Sequence, residues 1–123
     1  RRIAVLGDIA EVGDLTMSMH EDVIRYVDES NFDYLFFAGS KLKAAWSNVK
    51  TRDSLKVVVC EDNKHIVSEL KKIAPSDGDL VLLKGSHSSH LEEVMLSSFP
   101  ETRTLITEER KAEITWRKKV VIS

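Results

Sequence analysis

The sequence predicts an α/β fold in which helices flank a doubly wound, mostly parallel sheet. Four short apolar runs rich in β-branched or aromatic residues recur along the chain, at 3–6, 34–38, 55–59 and 80–83. Their apolarity is continuous rather than alternating, which is typical of strands buried on both faces. Segments with helical spacing separate them. Strand alternating with helix four times favours right-handed crossovers within one Rossmann-like domain.

Each segment between these runs carries the signals of an amphipathic helix. Apolar residues repeat at intervals of three and four in the segments 18–30, 41–49, 62–73 and 88–95. Serine and aspartate favour helix starts because their side-chain oxygens accept hydrogen bonds from the free N–H groups of the first turn. The predicted caps are Ser18 with Glu21 in a capping box, Asp62, and either Ser88 or Ser89.

The end of the chain predicts a different arrangement. Residues 102–107 and 113–122 have strand character and flank a charged turn at 108–111. Within the last strand, Ile114 and Trp116 alternate with the polar residues Thr115 and Arg117, which is typical of a strand with one face in water. We therefore expect a C-terminal antiparallel hairpin or edge strand.

The overall charge excludes some classes of partner. The 18 basic and 20 acidic side chains nearly cancel and leave a formal net charge of −2. A nucleic acid or an anionic membrane is therefore not an expected partner, because neither finds a basic surface to bind. The longest apolar runs fall far short of the roughly 20 residues that a membrane helix requires. We expect a soluble, cytoplasmic protein.

The length and the two ends of the sequence bear on domain organisation. With 123 residues, the chain is long enough for a single domain with its own core. The first residue is Arg1 rather than Met, and the first predicted strand begins almost at once. We therefore interpret residues 1–123 as one domain and as a fragment of a longer chain. Cys60 is the single cysteine and is expected to be a structural thiol.

Two loops carry the residues best suited to bind a ligand. Residues 7–14 and 84–90 each follow a predicted strand directly. The carboxyl ends of parallel strands lie at one edge of the sheet, where α/β proteins bind their ligands. The sequence therefore predicts that the two loops face one ligand together.

The second loop combines groups that suit a carboxylate or a phosphate. Gly85 allows the backbone to approach a ligand closely, and Lys84 supplies a positive charge. Ser86 and Ser89 add hydroxyl groups at the start of a helix, where free N–H groups favour an anion. The alternative is a tight turn at Gly85, serines that only cap the helix, and a solvated lysine. The Walker pattern of phosphate-binding loops is absent from the sequence.

The first loop contains an acidic residue with two possible roles. Asp8 could accept hydrogen bonds from a ribose or coordinate a cation, or it could serve only the turn or a helix cap. Glu11 is placed to brace the loop or cap a helix, and His20 is expected to support the site rather than catalyse. His87 and His90 lack a third ligand at suitable spacing, so we predict no metal site. We predict no catalytic residue in this chain.

The residues of both loops also carry a family resemblance. The string 2–8 with Glu11, Gly13 and His20, and the string 78–86 with Leu91 and Glu92, resemble the C-terminal domain of the Mur ligases. The resemblance covers roughly residues 2–97 and is nearest to the dipeptide-adding members. It implies the same α/β fold and a role as one domain of a multidomain, ATP-dependent amide ligase of peptidoglycan synthesis.

The resemblance also implies roles for individual residues. Mur ligases activate a carboxylate with ATP to an acyl phosphate, which an incoming amine attacks, while the C-terminal domain closes over the central ATPase domain. The amine comes from an amino acid or a dipeptide. By this resemblance Asp8 approaches the nucleotide ribose, whereas ATP and Mg²⁺ are bound mainly by the other domains. The residues implied to hold the incoming carboxylate are Lys84, Gly85, Ser86, His87 and Ser89.

Two departures from the family pattern support a second hypothesis. His87 stands where the dipeptide-adding members usually carry an arginine, so the two-pronged grip of a guanidinium on a carboxylate is lost. The two-stranded tail is also not typical of that subgroup. The alternative is a free-standing α/β module that binds a small acidic ligand or a protein partner without catalysis. A receiver-like domain is disfavoured, because Asp8 is not followed by the further acid and lysine that receivers need.

Overall fold

In the part of the chain that the structure describes, six strands form one mostly parallel sheet. The computed structural model describes residues 1–10, 12–100, 112–114 and 119–122, with the backbone alone in the last two segments. The strand order is β3-β2-β1-β4-β6-β5, and every neighbouring pair is parallel except β5 with β6. The predicted fold class is confirmed. The strands are β1 (Arg2–Leu6), β2 (Tyr34–Phe37), β3 (Lys56–Val59), β4 (Leu80–Lys84), β5 (Ala112–Ile114) and β6 (Lys119–Ile122).

Four α-helices flank the described sheet, two on each face. Helices α1 and α2 contact each other on one face, and α3 and α4 contact each other on the other. Short 3₁₀ helices precede α1 at Gly13–Leu15 and α4 at His87–Ser89. None of the described helices is long and apolar enough to cross a membrane. The helices are α1 (Thr16–Glu29), α2 (Ser40–Trp46), α3 (Asn63–Ile73) and α4 (Leu91–Ser98).

Strand β1 shows why the predicted strands are apolar without alternation. Ile3 and Val5 pack on the side of α3 and α4, whereas Ala4 and Leu6 pack on the side of α1 and α2. All four side chains are at most 1% exposed. Burial of each larger one contributes roughly 1.5–3 kcal/mol. The central strand is therefore covered on both faces.

The helix starts differ in part from the predicted caps. The Asp62 cap is confirmed, because its Oδ1 accepts a hydrogen bond from the His65 N–H at 2.8 Å. The Ser18 capping box is wrong: after the preceding 3₁₀ turn the N-cap of α1 is Leu15, three residues earlier, and the Ser18 hydroxyl donates to the carbonyl of Leu15. The Ser88 or Ser89 cap is also wrong. Both serines lie in the second 3₁₀ helix, and a left-handed His90 precedes α4.

An ion pair between the exposed Arg1 and a buried carboxylate lies beside the first residues of β1 and β4. Asp79 is 5% exposed, and its Oδ2 lies 2.8 Å from Nη2 of Arg1 and accepts a hydrogen bond from the Ser76 N–H at 2.9 Å. Burial raises the pKa of Asp79, but the hydrogen bonds from the Arg1 guanidinium and the Ser76 N–H outweigh it. The pKa is lowered to about 2. This carboxylate therefore stabilises the end of the sheet opposite the two loops.

The C-terminal strands lie at the β4 edge of the sheet. Strand β6 pairs in parallel with β4, and β5 pairs with β6 in the antiparallel sense. The predicted antiparallel edge is confirmed, but the prediction of one strand over 113–122 is wrong, because the chain reverses between β5 and β6. No glycine or proline in 115–118 marks that reversal in the sequence. The strand and turn predicted at 102–111 lie outside the described residues.

Candidate functional site

The topology places a cleft at the carboxyl ends of the parallel strands. From β1 the chain proceeds to β2 and β3 on one side, and then returns to form β4 on the other side of β1. Ligands of open α/β sheets bind at such a reversal of strand order. A cleft of about 440 Å³ lies there, and the segments that follow β1, β2, β3 and β4 all contribute to its lining.

The loops after β1 and β4 are hydrogen-bonded to each other along their backbones. The Gly7 N–H donates to the Lys84 carbonyl at 2.9 Å, and the Ser86 N–H donates to the Asp8 carbonyl at 3.2 Å. The Ser86 hydroxyl oxygen accepts a hydrogen bond from the Ala10 N–H at 2.6 Å. The prediction that the two loops lie together is confirmed, and Ser86 is one of the residues that join them.

Two glycines allow this close approach. A Cβ on Gly7 would lie 2.5 Å from the Cβ of Ser89, and a Cβ on Gly85 would lie 3.1 Å from the Cα of Gly7. The Ser89 hydroxyl occupies the remaining space and donates to the Asp8 carbonyl at 2.7 Å. A side chain on Gly7 would therefore clash with Ser89, and one on Gly85 would crowd the backbone of Gly7.

Asp8 links the first loop to helix α2. Its two carboxylate oxygens accept hydrogen bonds from the N–H groups of Lys41 and Leu42, at 3.1 and 3.0 Å. Gly39 makes room for this contact: its φ is +119°, and a Cβ there would lie 2.4 Å from Oδ1 of Asp8. The structure thus shows the cap role that the sequence left open. Each carboxylate oxygen has a second lone pair, so the ribose contact stays a prediction.

His20 holds the first loop from behind. The imidazole is fully buried, and its Nε2 accepts a hydrogen bond from the Ile9 N–H at 2.9 Å. The Nδ1 atom lies 2.5 Å from the Thr16 carbonyl and therefore carries the proton. The ring joins the loop to the first turn of α1. Glu11, the other residue expected to support the loop, lies outside the described residues.

The predicted binding residues divide between the cleft and its surroundings. Asp8 and Ser89 line the cleft, whereas Gly85 and Ser86 lie behind it and join the loops. The His87 side chain is exposed, and its ring centre lies 6.4 Å from that of His90.

Lys84 faces a different part of the surface. Side chains alternate along β4, so Leu83 packs toward α3 and α4 whereas Lys84 lies on the α1 face. There it borders a separate groove of about 480 Å³ with Val23, Tyr26 and Leu82. The structure does not bring the ammonium group of Lys84 together with the carboxylate of Asp8.

Three residues were not predicted from the sequence to lie at the cleft, although one of them, Asp62, was predicted as a helix cap. Lys41, Asp62 and Asn63 come from the segments after β2 and β3. The Nδ2 of Asn63 donates to the Ser89 carbonyl at 2.9 Å, and the Nζ of Lys41 lies 3.5 Å from the Ile9 carbonyl. Their position in the sequence could have identified them, because both segments follow apolar runs and therefore reach the same edge of the sheet.

Cys60 follows β3 and does not act as a reactive thiol. Its side chain is fully buried. Burial, with smaller contributions from the carboxylates of Glu69 and Asp62, raises the pKa of the thiol to about 11. The thiol is therefore protonated at neutral pH. Among the residues that the structure describes, no group of three or more histidine, cysteine or acidic side chains could hold a metal ion.

Comparison with known proteins places the chain in a family. Residues 1–87 match the family model described as Mur ligase, glutamate ligase domain. The chain belongs to the Mur ligase family. Over 97 residues it is 32% identical to the UDP-N-acetylmuramoyl-tripeptide–D-alanyl-D-alanine ligase of Bacillus subtilis (strain 168). That alignment covers 77% of this chain but 21% of the relative, so the chain spans about a fifth of the length of this Mur ligase.

Solved structures of Mur ligases share the fold. A MurF structure from Acinetobacter baumannii superposes with a TM-score of 0.60 at 24% identity, over 78% of this chain and 21% of that one. The MurF ligase of Thermotoga maritima, solved in complex with ADP, gives a TM-score of 0.64 at 19% identity, over 82% and 22%. The resemblance stated from the sequence, to the C-terminal domain of a MurF-type ligase, is confirmed.

Proposed function

We propose that this chain is the C-terminal domain of an ATP-dependent amide ligase of peptidoglycan precursor synthesis. In this role it positions the incoming amino acid or dipeptide and closes over the ATP site of a central domain in the same polypeptide. The family match over residues 1–87 and the MurF-type relative support the reaction class. The observation that carries the proposal is the cleft at the reversal of strand order, because the loops after β1 and β4, into which both segments of the family resemblance lead, meet there.

The geometry fits a domain that positions its substrate. The loop after β4 is held to the loop after β1 by the hydroxyls of Ser86 and Ser89, so the wall of the cleft is set before a ligand arrives. A preset wall lowers the entropic cost of bringing an amine to an acyl group. Closure of such a domain also excludes water from the reacting groups. The chain then raises the rate through geometry and supplies no acid, base or nucleophile of its own.

The carboxylate of Asp8 fits a contact with the nucleotide. It lies at the cleft, its orientation is fixed by two N–H groups of α2, and its oxygens retain lone pairs for a hydroxyl group such as that of a ribose. When bound, ATP supplies the phosphoryl group that activates the substrate carboxylate. The described residues offer no cluster for Mg²⁺, which we assign to the other domains with most of the nucleotide contacts.

We assign the carboxylate of the incoming substrate to the loop after β4. Ser89 lines the cleft, His87 is an exposed residue of the same loop, and Lys84, at the start of that loop, borders the separate groove on the α1 face. His87 offers a single ring nitrogen at a time where a guanidinium would offer a planar pair of donors. The candidates for the amine substrate therefore include both amino acids and dipeptides.

Phosphate release by the complete polypeptide that contains residues 1–123 tests this function. We expect ATP-dependent release of phosphate that requires both a uridine-nucleotide peptide acceptor and one of a panel of amino acids and dipeptides. Ser89→Ala, which alters the wall of the cleft, should raise the KM for that amine substrate, whereas Asp14→Ala, at an exposed position before α1, should not. Absence of amine-dependent release with every substrate would instead favour the free-standing binding module.

A further inference from the structure

A side chain of helix α3 holds the loop after β4 in place. Asn63 is the first residue of α3, and its Nδ2 donates to two carbonyl groups of that loop, those of Ser89 at 2.9 Å and His90 at 3.4 Å. These bonds cross between residues that are 26 and 27 positions apart in the chain. They connect the segment after β3 to the segment after β4 directly at the cleft.

The start of helix α3 does not depend on the side chain of Asn63. The preceding residue, Asp62, is the N-cap and accepts the hydrogen bond from the His65 N–H. Both hydrogen bonds that the structure gives the Asn63 amide go to the loop instead. A residue required only by the helix would make contacts within the helix, so this geometry indicates a role in shaping the loop.

The segment that Asn63 holds has an uncommon conformation. His90 has a φ of +52°, in the left-handed region that residues other than glycine rarely adopt. Ser89, next to it, lines the cleft and donates its hydroxyl hydrogen to the Asp8 carbonyl. Contacts from outside the loop favour such a conformation over the more common ones. Without the Asn63 amide, the backbone at 89–90 would be free to relax and Ser89 would move within the cleft.

We propose that Asn63 is a positioning residue for the incoming amine substrate. It does so without touching that substrate, by fixing the Ser89 and His90 carbonyls and with them the wall of the cleft. This inference rests on the proposed function of the cleft. It predicts a selective effect, because the loop after β4 is disturbed while the Asp8 contacts with α2 are retained.

Two substitutions at position 63 separate this role from a general effect on stability. Asn63→Ala removes the donor. Asn63→Asp keeps the size and places an acid in the first turn of a helix, which favours the helix, but it turns a carboxylate oxygen toward two carbonyl oxygens. Lys64→Ala, at the exposed neighbouring position, is the matched control. A purely structural role at the start of α3 predicts that the aspartate variant is harmless.

The experiment measures phosphate release by the complete polypeptide with the amine substrate that supports wild-type turnover. For both Asn63 variants we expect the KM for the amine to rise about tenfold, the equivalent of one or two lost hydrogen bonds. The KM for ATP and kcat should stay within about twofold, in contrast to a general loss of folded protein. The aspartate variant should remain folded, with a thermal transition as cooperative as that of the wild type, because the acid in its first turn favours the helix.

Each result decides between the alternatives. An unchanged amine KM in either variant, or an equal rise in the KM for ATP, overturns the role of Asn63 while the proposed function stands. A wild-type polypeptide that is inactive with every amine overturns the proposed function and this inference with it. If the alanine variant is unstable, the aspartate variant alone decides, because its helix start is preserved.

Discussion

Asp8 is the residue on which the most contacts at the cleft converge. Its carboxylate caps α2, and its carbonyl accepts hydrogen bonds from the Ser86 N–H and the Ser89 hydroxyl. The side-chain contacts can be removed by mutation, whereas the carbonyl contacts cannot. Substitution at this position therefore measures how far the first loop depends on α2.

We expect Asp8→Ala to lower the free energy of unfolding by about 1–3 kcal/mol, because the N–H groups of Lys41 and Leu42 lose their acceptors. Asp8→Asn keeps one acceptor oxygen and should cost about half as much. Urea unfolding of the 123-residue chain measures both, with the exposed Asp14→Ala as the control. Equal stability of all three variants would show that the cap contributes nothing.

His20 is expected to be the more costly residue to replace. His20→Ala leaves the Ile9 N–H without its acceptor and opens a cavity in a fully buried site, so we expect a loss of about 2–4 kcal/mol. Amide hydrogen exchange at Ile9 should accelerate by more than exchange in α3. A variant as stable as the wild type would contradict the assigned hydrogen bonds.

At the scale of single residues, the sequence predicted positions better than side-chain directions. Asp8 and Ser89 reach the cleft because each lies in a loop that directly follows a predicted parallel strand. The same reasoning predicted that Lys84 would reach the cleft. However, successive side chains of a strand point to opposite faces of the sheet, and the Lys84 side chain lies on the α1 face. Asn63 and Lys41 act through contacts between distant segments, which the spacing in one sequence does not reveal.

At the scale of elements, the contact between the loops after β1 and β4 depends on the absence of a side chain at Gly7. We expect Gly7→Ala to destabilise the chain by about 1–3 kcal/mol, since its Cβ would lie 2.5 Å from the Cβ of Ser89. The double variant Gly7→Ala with Ser89→Gly removes the clash and should recover part of the loss. Purely additive losses in a double-mutant cycle, measured by urea unfolding, would show that the two residues do not interact.

Helix ends were harder to predict than helices. The apolar stripes of α1 and α4 were found, but their starts depend on preceding 3₁₀ turns and on a left-handed His90, which follow from how the loops pack. Asp62 was found because a cap by an acidic side chain is a local interaction. In the tail, the reversal between β5 and β6 has no local signal.

At the scale of the whole molecule, the continuous apolar runs sufficed to predict the sheet class. Burial of β1 and its neighbours on both faces produces runs of apolar residues that can be recognised in the sequence. The position of β6 beside β4 did not follow from the sequence, since pairing between distant strands depends on the assembled fold. The dependence of the free energy of unfolding on pH is also a property of the whole molecule.

We expect Asp79 to contribute to stability in a defined pH range. Its pKa is about 2 in the folded chain and close to 3.8 when unfolded, so its contribution is complete above about pH 5 and is lost as the pH falls toward 2. The contribution should be about 2 kcal/mol. The difference in free energy of unfolding between the wild type and Asp79→Asn should be constant from pH 5 to 7 and narrow below pH 4. A constant difference down to pH 2 would contradict the lowered pKa.

The central claim is that the loops after β1 and β4 form one wall that holds the incoming amine substrate. Hydrogen–deuterium exchange of the complete polypeptide tests it most directly, with a non-hydrolysable ATP analogue and with the amine substrate identified by phosphate release. We predict slower exchange on binding in both 7–10 and 86–90, and no change in 76–79 at the opposite end of β4. Protection confined to other segments, with both loops unaffected, would contradict the account.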